Sequence, residues 1–469
     1  MNDRRRRWLI LVCLFVLSLP AVTTRLYSSD EIQYFSYLRS LSFDRDLSFE
    51  NEYRYFYDRG IARSDGFHET FLERQTATGR RINFATMGCA ILWAPFYAIG
   101  DAVARVTGAP ADGFSQPYVA AAAYGSAVYG FLALVIAILA ARRVGVDGFT
   151  AAMAIWLGTP LLFYMYVAPL FAHAASAFTV ALFIYIWLRV RDTWPLGGTI
   201  GLGAAAALMA MVREQDAFFA LGVVLDFGLW AAGRGVVRTL REKAGAIAAA
   251  AAAFAAVYAP QAAAYLALNG HLGPHSSVGR KMNWISPHAL QVLFSPQHGL
   301  FFWTPLALIA IAGLIVFWRA DLRPQDLPPG GGRDVRIRTR HLGLSLLLMI
   351  VAQVYVSGAV ESWTVAGAFG QRRFIALTAA MVIGYAALHA RVRARPRAGR
   401  RTLTALTILG VYWNLALSAE FATGLMDRRK LEPAKNAYHA FVTLPVQAPS
   451  LIYRYLFDRA SFYRGPQSE

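Results

Sequence analysis

An all-α, polytopic integral membrane protein with about 11 transmembrane helices is the fold class this sequence predicts. Three observations predict it. The 469 residues are 57% hydrophobic and only 16% charged, too apolar for a soluble chain of this length. Uncharged apolar runs recur along the whole chain, many of them near the ~20 residues that a helix needs to cross a bilayer. Arginines crowd the ends of those runs, where they fix orientation.

The chain opens with MNDRRRRWLILVCLFVLSLPAVTTRLYSSDE. The basic head and apolar core look like a signal peptide, but the exit lacks a small-x-small cleavage pattern. We therefore read an uncleaved first span at 8–26. Further spans are expected near 117–141, 149–167, 170–188, 197–212, 216–233, 245–267, 300–318, 342–359, 374–390 and 402–421. This threading puts the N-terminus inside and the C-terminal tail outside. The six inside segments, 3–7, 142–148, 189–194, 234–243, 319–340 and 391–401, hold 24 Lys and Arg against 7 acids. The outside segments hold 22 against 20, and Asp226 lies within a span. Of the total charge of +18, +17 is therefore inside. The charge reads as topology and leaves nothing that requires a nucleic-acid partner.

Residues 1–421 form the transmembrane domain, with 27–116 as a first external loop carrying amphipathic interfacial helices. Residues 422–469 form a short external tail. Within the loop, NFATMGCAILWAPFYAIGDAVARV (83–106) is nearly apolar enough to span. Counting it would put 27–82 and Arg142–Arg143 on one side. It is expected to lie at the interface or dip partly in, helped by Trp93, Pro95, Phe96 and Tyr97. The stretch 321–340 is a charged Pro/Gly-rich linker. AIAAAAAAFAAVYA (246–259) suits close helix packing. Cys13 and Cys89 both lie in apolar runs, so neither a disulfide nor a thiolate metal site is expected.

Polar residues near the outer face are the informative ones, because charge at membrane depth is costly. After the first span, Asp30 and Glu31 open a segment in which Tyr34, Tyr37, Leu38 and Leu41 recur at helical spacing. Acids at a first turn suit the helix dipole. The same acids, partly desolvated at the lipid boundary, suit general-base work. Asp44, Asp46, Glu50 and Glu52 read as a solvated loop, although Asp44-Arg45-Asp46 has the look of a divalent-metal triplet. Arg80, Arg81 and Asn83 either bind phosphate or flank lipid headgroups. MVREQDAFFAL places Arg213, Glu214 and Asp216 at the outer end of a span, where Arg213 needs an anion. NGHLGPHSSVGRKMNW supplies Arg280 and Lys281. ESWTVAGAFGQRRF supplies Glu361, Trp363, Arg372 and Arg373. Arginine pairs recognise phosphate bidentately. His173 and His298 sit at outer ends of spans, as packing residues or ligand contacts. No paired-cysteine, EF-hand, G-x-S-x-G or Walker A pattern occurs. No cofactor is called for, and a divalent metal has only the acidic triplet in its favour.

A short inside N-terminus, one span, and then Asp30, Glu31 and Tyr34 on a surface helix resembles the GT-C superfamily of membrane glycosyltransferases. Protein O-mannosyltransferases and the aminoarabinose transferases of lipid A are its nearest well-known relatives. ILWAPFYAIG, ARRVG and ALMAMVREQDAFFAL look like corresponding stretches of that superfamily, and the likeness covers about residues 1–235. It implies a polyprenyl-phosphate-linked sugar donor used on the outer face of the bacterial cytoplasmic membrane, and a lipid, glycan or protein acceptor. It implies Asp30 or Glu31 as catalytic base, and transfer with inversion. The donor phosphate and substrate would be met by Tyr34, Arg80, Arg81, Asn83, His173, Arg213, Glu214, Arg280, Lys281, Trp363, Arg372 and Arg373. One departure is visible. Many relatives carry an acid at the outside start of the fourth span, where this chain has His173, which weakens the case for a second catalytic carboxylate. The alternative function is a transporter or lipid flippase, whose pathway the same outside charges would line. Inverted repeats are not evident.

Overall fold

The computed structural model describes residues 3–62, 64–319 and 333–462. It is all-α, with no strand among the described residues. The bulk of the linker 321–340 falls outside the described residues, as do 463–469 of the tail. Eight helices among those described are long and apolar enough to cross a membrane, and shorter apolar helices join them. The chain is built as an integral membrane protein.

The helices that position the site are α1 (Asp3–Ser18), α2 (Ser29–Arg39), α3 (Glu50–Asp58), α4 (Gly88–Thr107), α5 (Gln116–Arg143), α6 (Phe149–Gly158), α7 (Leu161–Tyr166), α8 (His173–Val190) and α9 (Leu196–Val212). They continue with α10 (Ala220–Ala232), α11 (Val236–Asn269), α12 (Leu306–Trp318), α13 (Arg333–Ala359), α14 (Thr378–Arg393), α15 (Arg397–Thr423) and α16 (Leu444–Phe457).

Prolines break three of the runs expected to be single helices. A proline lacks an N–H and pushes its predecessor out of the helical region. Pro20 falls in the turn Leu19–Ala21 that follows α1. Thr159, before Pro160, is extended at φ −134°, ψ 164° and separates α6 from α7. Thr304, before Pro305, lies at φ −137°, ψ 71° and separates Leu300–Trp303 from α12.

The basic segments gather at one end of the bundle. Arg7 pairs with Asp147 at 2.6 Å, and Arg142 lies over the Trp8 ring. Arg143 donates to the Leu188 carbonyl. Asp226, the acid within a span, is held there by Arg191 and by the Trp187 indole, each at 2.9 Å. Lys243 donates to the Thr193 carbonyl at 2.7 Å. Small residues let the helices approach closely. A Cβ on Gly203 would strike the Ala250 backbone, which locks α9 to α11, and one on Gly313 would strike Gly384, which locks α12 to α14.

The loop after α1 caps the opposite end. Thr78 donates to the Leu268 carbonyl at 2.7 Å, near the end of α11. Phe35 of α2 packs edge-on against Phe56 of α3 and Tyr97 of α4. The segment expected at 83–106 is one continuous helix, α4, with length and composition enough to cross a membrane. Its contacts define how far it runs. Trp93 donates to Ser126, and Tyr129 donates to the Leu92 carbonyl. Near its other end Gly100 lies against Pro117 and Tyr118. So α4 runs antiparallel to the first half of α5 alone. From Phe131, α5 continues unaccompanied by α4 for a further ~20 Å at 1.5 Å per residue.

Candidate functional site

The capped end holds the residues of interest, starting with α2. Ser28 is its N-cap, and its hydroxyl accepts from the Asp30 N–H. The Glu31 carboxylate reaches back to accept from the Ser28 and Tyr27 N–H groups at 3.1 and 3.0 Å. This is a capping box, and it settles what each acid of the pair does locally. Glu31 is fully buried. Burial pushes its carboxyl up to about 8, against the two backbone hydrogen bonds. Asp30, one residue earlier, points the other way. Its side chain is 41% exposed and pairs with Arg372 at 2.9 Å.

Arg372 arrives through a glycine turn. Gly370 has φ +60°, and a Cβ there would meet Pro160. The chain then enters a 3-10 turn, Arg372–Leu377, ahead of α14. The Arg372 guanidinium lies over the Phe171 ring, 5.0 Å from its centre. Arg373 turns inward and is 7% exposed. Its Nη2 donates to the Ser362 carbonyl and hydroxyl at 3.0 and 3.2 Å. Its Nη1 is buried and has no partner.

Arg213 ends α9 in an extended conformation, φ −152°, ψ 117°. That single extended residue fans out the charges that follow. Arg213 meets His173 at 2.8 Å. Glu214 accepts from the Tyr265 hydroxyl. Asp216 accepts from the Ser176 hydroxyl at 2.6 Å. Because a guanidinium can only donate, the His173 Nδ1 must be the acceptor. The ring is therefore neutral, with its proton on Nε2, which remains available as a donor. Tyr164 packs edge-on against the same imidazole.

These pieces form one cluster. Arg213, Arg372 and Arg373 all act electrostatically on His173, and Arg213, Arg372 and Asp30 act on Arg373. Tyr34 and Tyr164 feel Asp30, Arg213 and Arg372 alike. Burial raises the Tyr34 hydroxyl well above its ordinary range, so it stays neutral. Three guanidinium groups thus converge, with Arg372 ion-paired to Asp30 and with buried Asp216 facing Arg213 electrostatically. A cluster of this kind has the donors and the charge to accommodate an anion.

Other sequence candidates lie elsewhere. Arg81 is tied to Glu50 and to the Glu73 carbonyl, bracing the capping loop. Arg80 is half-buried, with its carbonyl in a turn to Thr76. Asn83 donates to the Gln33 carbonyl and fixes α2 to the start of α4. Arg280 is exposed and donates to Ser276. Lys281 is exposed, and its carbonyl accepts from Glu361. Trp363 stacks on His288 and its carbonyl accepts from Gln371. His298 is buried and stacked on Trp303; burial pulls it down to about 4.

The acidic triplet resolves into local bonds. Asp44 takes Arg39 and Asn51, and Asp46 takes Ser40 and Ser48. Glu52 accepts from Arg39 at 3.1 Å. The sequence matches no protein-family model and no curated protein. Three lining residues escaped the sequence reading: Tyr164, Phe171 and Ser362. Tyr164 sits in an apolar run, Phe171 is an apolar neighbour of His173 with no chemistry of its own to mark it, and Ser362 acts partly through its backbone.

Proposed function

We propose that this protein is a membrane glycosyltransferase that takes a sugar from a polyprenyl-phosphate donor, as the likeness to the GT-C superfamily implies. The observation that carries this reading is the convergence of Arg213, Arg372 and Arg373, with the buried Arg373 Nη1 unpartnered. A lipid phosphate is the leaving group. It gains charge as the bond to the sugar breaks, and preorganised guanidinium groups stabilise that charge. The acceptor is a hydroxyl of a lipid, glycan or protein arriving from water. Its oxygen bonds to the sugar carbon as the carbon–phosphate-oxygen bond breaks, and its proton passes to Asp30. One displacement inverts that carbon.

Asp30 starts in an ion pair with Arg372. Donor phosphate competes for Arg372 and releases the carboxylate, so the base is freed when the leaving group is in place. Glu31 holds the end of α2 and keeps Asp30 aimed.

The test is transfer from a polyprenyl-phosphate sugar, measured beside donor binding, in wild type and Asp30→Asn. Asparagine keeps the shape but takes no proton. Turnover should fall by about 10²–10⁴-fold. Donor binding should hold or tighten, because a competing negative charge has left the arginines. Wild-type turnover in Asp30→Asn removes the base from this position. Absence of any sugar transfer by the wild type from a panel of such donors favours the transporter reading.

A further inference from the structure

The chain after α15 is a built element, and its surface points to a partner. We propose that α16 is an interfacial helix that lies in the plane of the membrane, its outer face seated in the acyl–headgroup boundary of a phospholipid bilayer.

Its orientation comes from where it is tied down. Ahead of the helix, the Ala440 carbonyl accepts from Tyr412 of α15, and Leu444 packs with Ala416 and Ala440. Beyond its middle, Tyr455 donates to the Ala21 carbonyl at 2.8 Å, and Arg459 donates to the Val22 carbonyl at 2.6 Å. The two ties are to different neighbours, one to α15 at Tyr412 and the other to the turn after α1 at Ala21 and Val22. A helix fastened to two separate helices bridges them across the rim of the bundle.

Its faces divide three ways. At ~100° per residue, Leu444, Ala448, Leu451 and Tyr455 share one narrow sector, and it is the sector turned to the protein. Gln447, Ser450 and Arg454 share a second. The third and widest carries Val446, Ile452, Tyr453, Leu456 and Phe457, exposed at 81, 59, 64, 45 and 74%. A soluble surface helix needs two faces; a helix at the rim of a membrane bundle needs protein, water and lipid faces. Both neighbours also carry exposed apolar residues about one helical turn before the tie: Val16 and Leu17 on α1, and Ile408 and Leu409 on α15.

The test uses the full chain with Cys13 and Cys89 replaced, reconstituted in phosphatidylcholine vesicles. A fluorescent thiol probe is placed at Ile452→Cys or at Ser450→Cys, both exposed positions that folding tolerates. The Ile452→Cys probe should be quenched by lipid carrying a spin label near the headgroup and spared by aqueous iodide. The Ser450→Cys probe should show the reverse. Iodide quenching at both positions overturns the proposal, because α16 then stands in water. Protection of Ile452→Cys from both quenchers also overturns it, because protein then covers that face.

Discussion

The two ends of the bundle use the same side chain to opposite effect. At the basic end two arginines are matched, Arg7 with Asp147 and Arg191 with Asp226 and Trp187 in support, while Arg142 keeps a buried, unpartnered Nη1 over the Trp8 ring. At the capped end Arg213, Arg372 and Arg373 cluster, with Arg372 ion-paired to Asp30, and part of Arg373 is left over. Matched charge holds a fold together. Clustered guanidinium groups repel one another, and an anion seated between them would offset that repulsion.

Deleting an arginine at each end should separate the two roles. Arg191→Ala leaves Asp226 buried and unpaired and should lower stability by about 3–5 kcal/mol, with donor binding by the folded fraction unchanged. Arg373→Ala should do the opposite. It relieves repulsion, so thermal unfolding should move little. Donor affinity should fall ~10–100-fold, in line with the ~1.5–3 kcal/mol typical of a charged hydrogen bond. Lysine should rescue only in part, since it lacks the planar fork. Equal loss of stability at both ends, with donor binding intact, would make all these arginines structural.

Sidedness sharpens the same contrast. A thiol placed at Ser64, in the capping loop, should react with a membrane-impermeant reagent added to intact cells, and one at Thr193, at the basic end, should not. The reversed pattern would turn the protein over and place the arginine cluster at the inner face.

A further contrast concerns Glu31, whose effect shows only as pH changes. Its folded-state carboxyl, near 8, lies above the ordinary value of 4.5. The folded state therefore holds a proton that the unfolded state gives up between those values, and stability should decline as pH rises from about 4.5 to about 8. Glu31→Gln can still accept the two backbone bonds. Its melting temperature should match wild type near pH 5 and exceed it near pH 8.5. Parallel profiles for the two proteins would mean that Glu31 is charged in the fold.

Much of the architecture was legible in the sequence. Apolar run length and arginine placement gave the helices and sorted the described basic segments to one end. The breaks at Thr159 and Thr304 fall inside runs expected as single spans, although each precedes a proline that marks it. Ser28-x-x-Glu31 carried the capping-box signal that separates Glu31 from Asp30. Three things were not legible. Arg213 and Arg372 stand 159 positions apart, and no local rule brings them together. The half-length pairing of α4 depends on Gly100 and Ser126 meeting the right neighbours. The helix α16 was hidden because Pro445 and Pro449 interrupt its pattern and its three faces blur a two-sided periodicity.

The partial reach of α4 has one more consequence. At the capped end α4 and the loop helices add to the cross-section of the bundle, and Ile91, Ile99 and Val103 stay exposed on α4. Alongside α5 beyond Phe131 that companion is absent, so α4 shields one half of α5 and leaves the other to different neighbours.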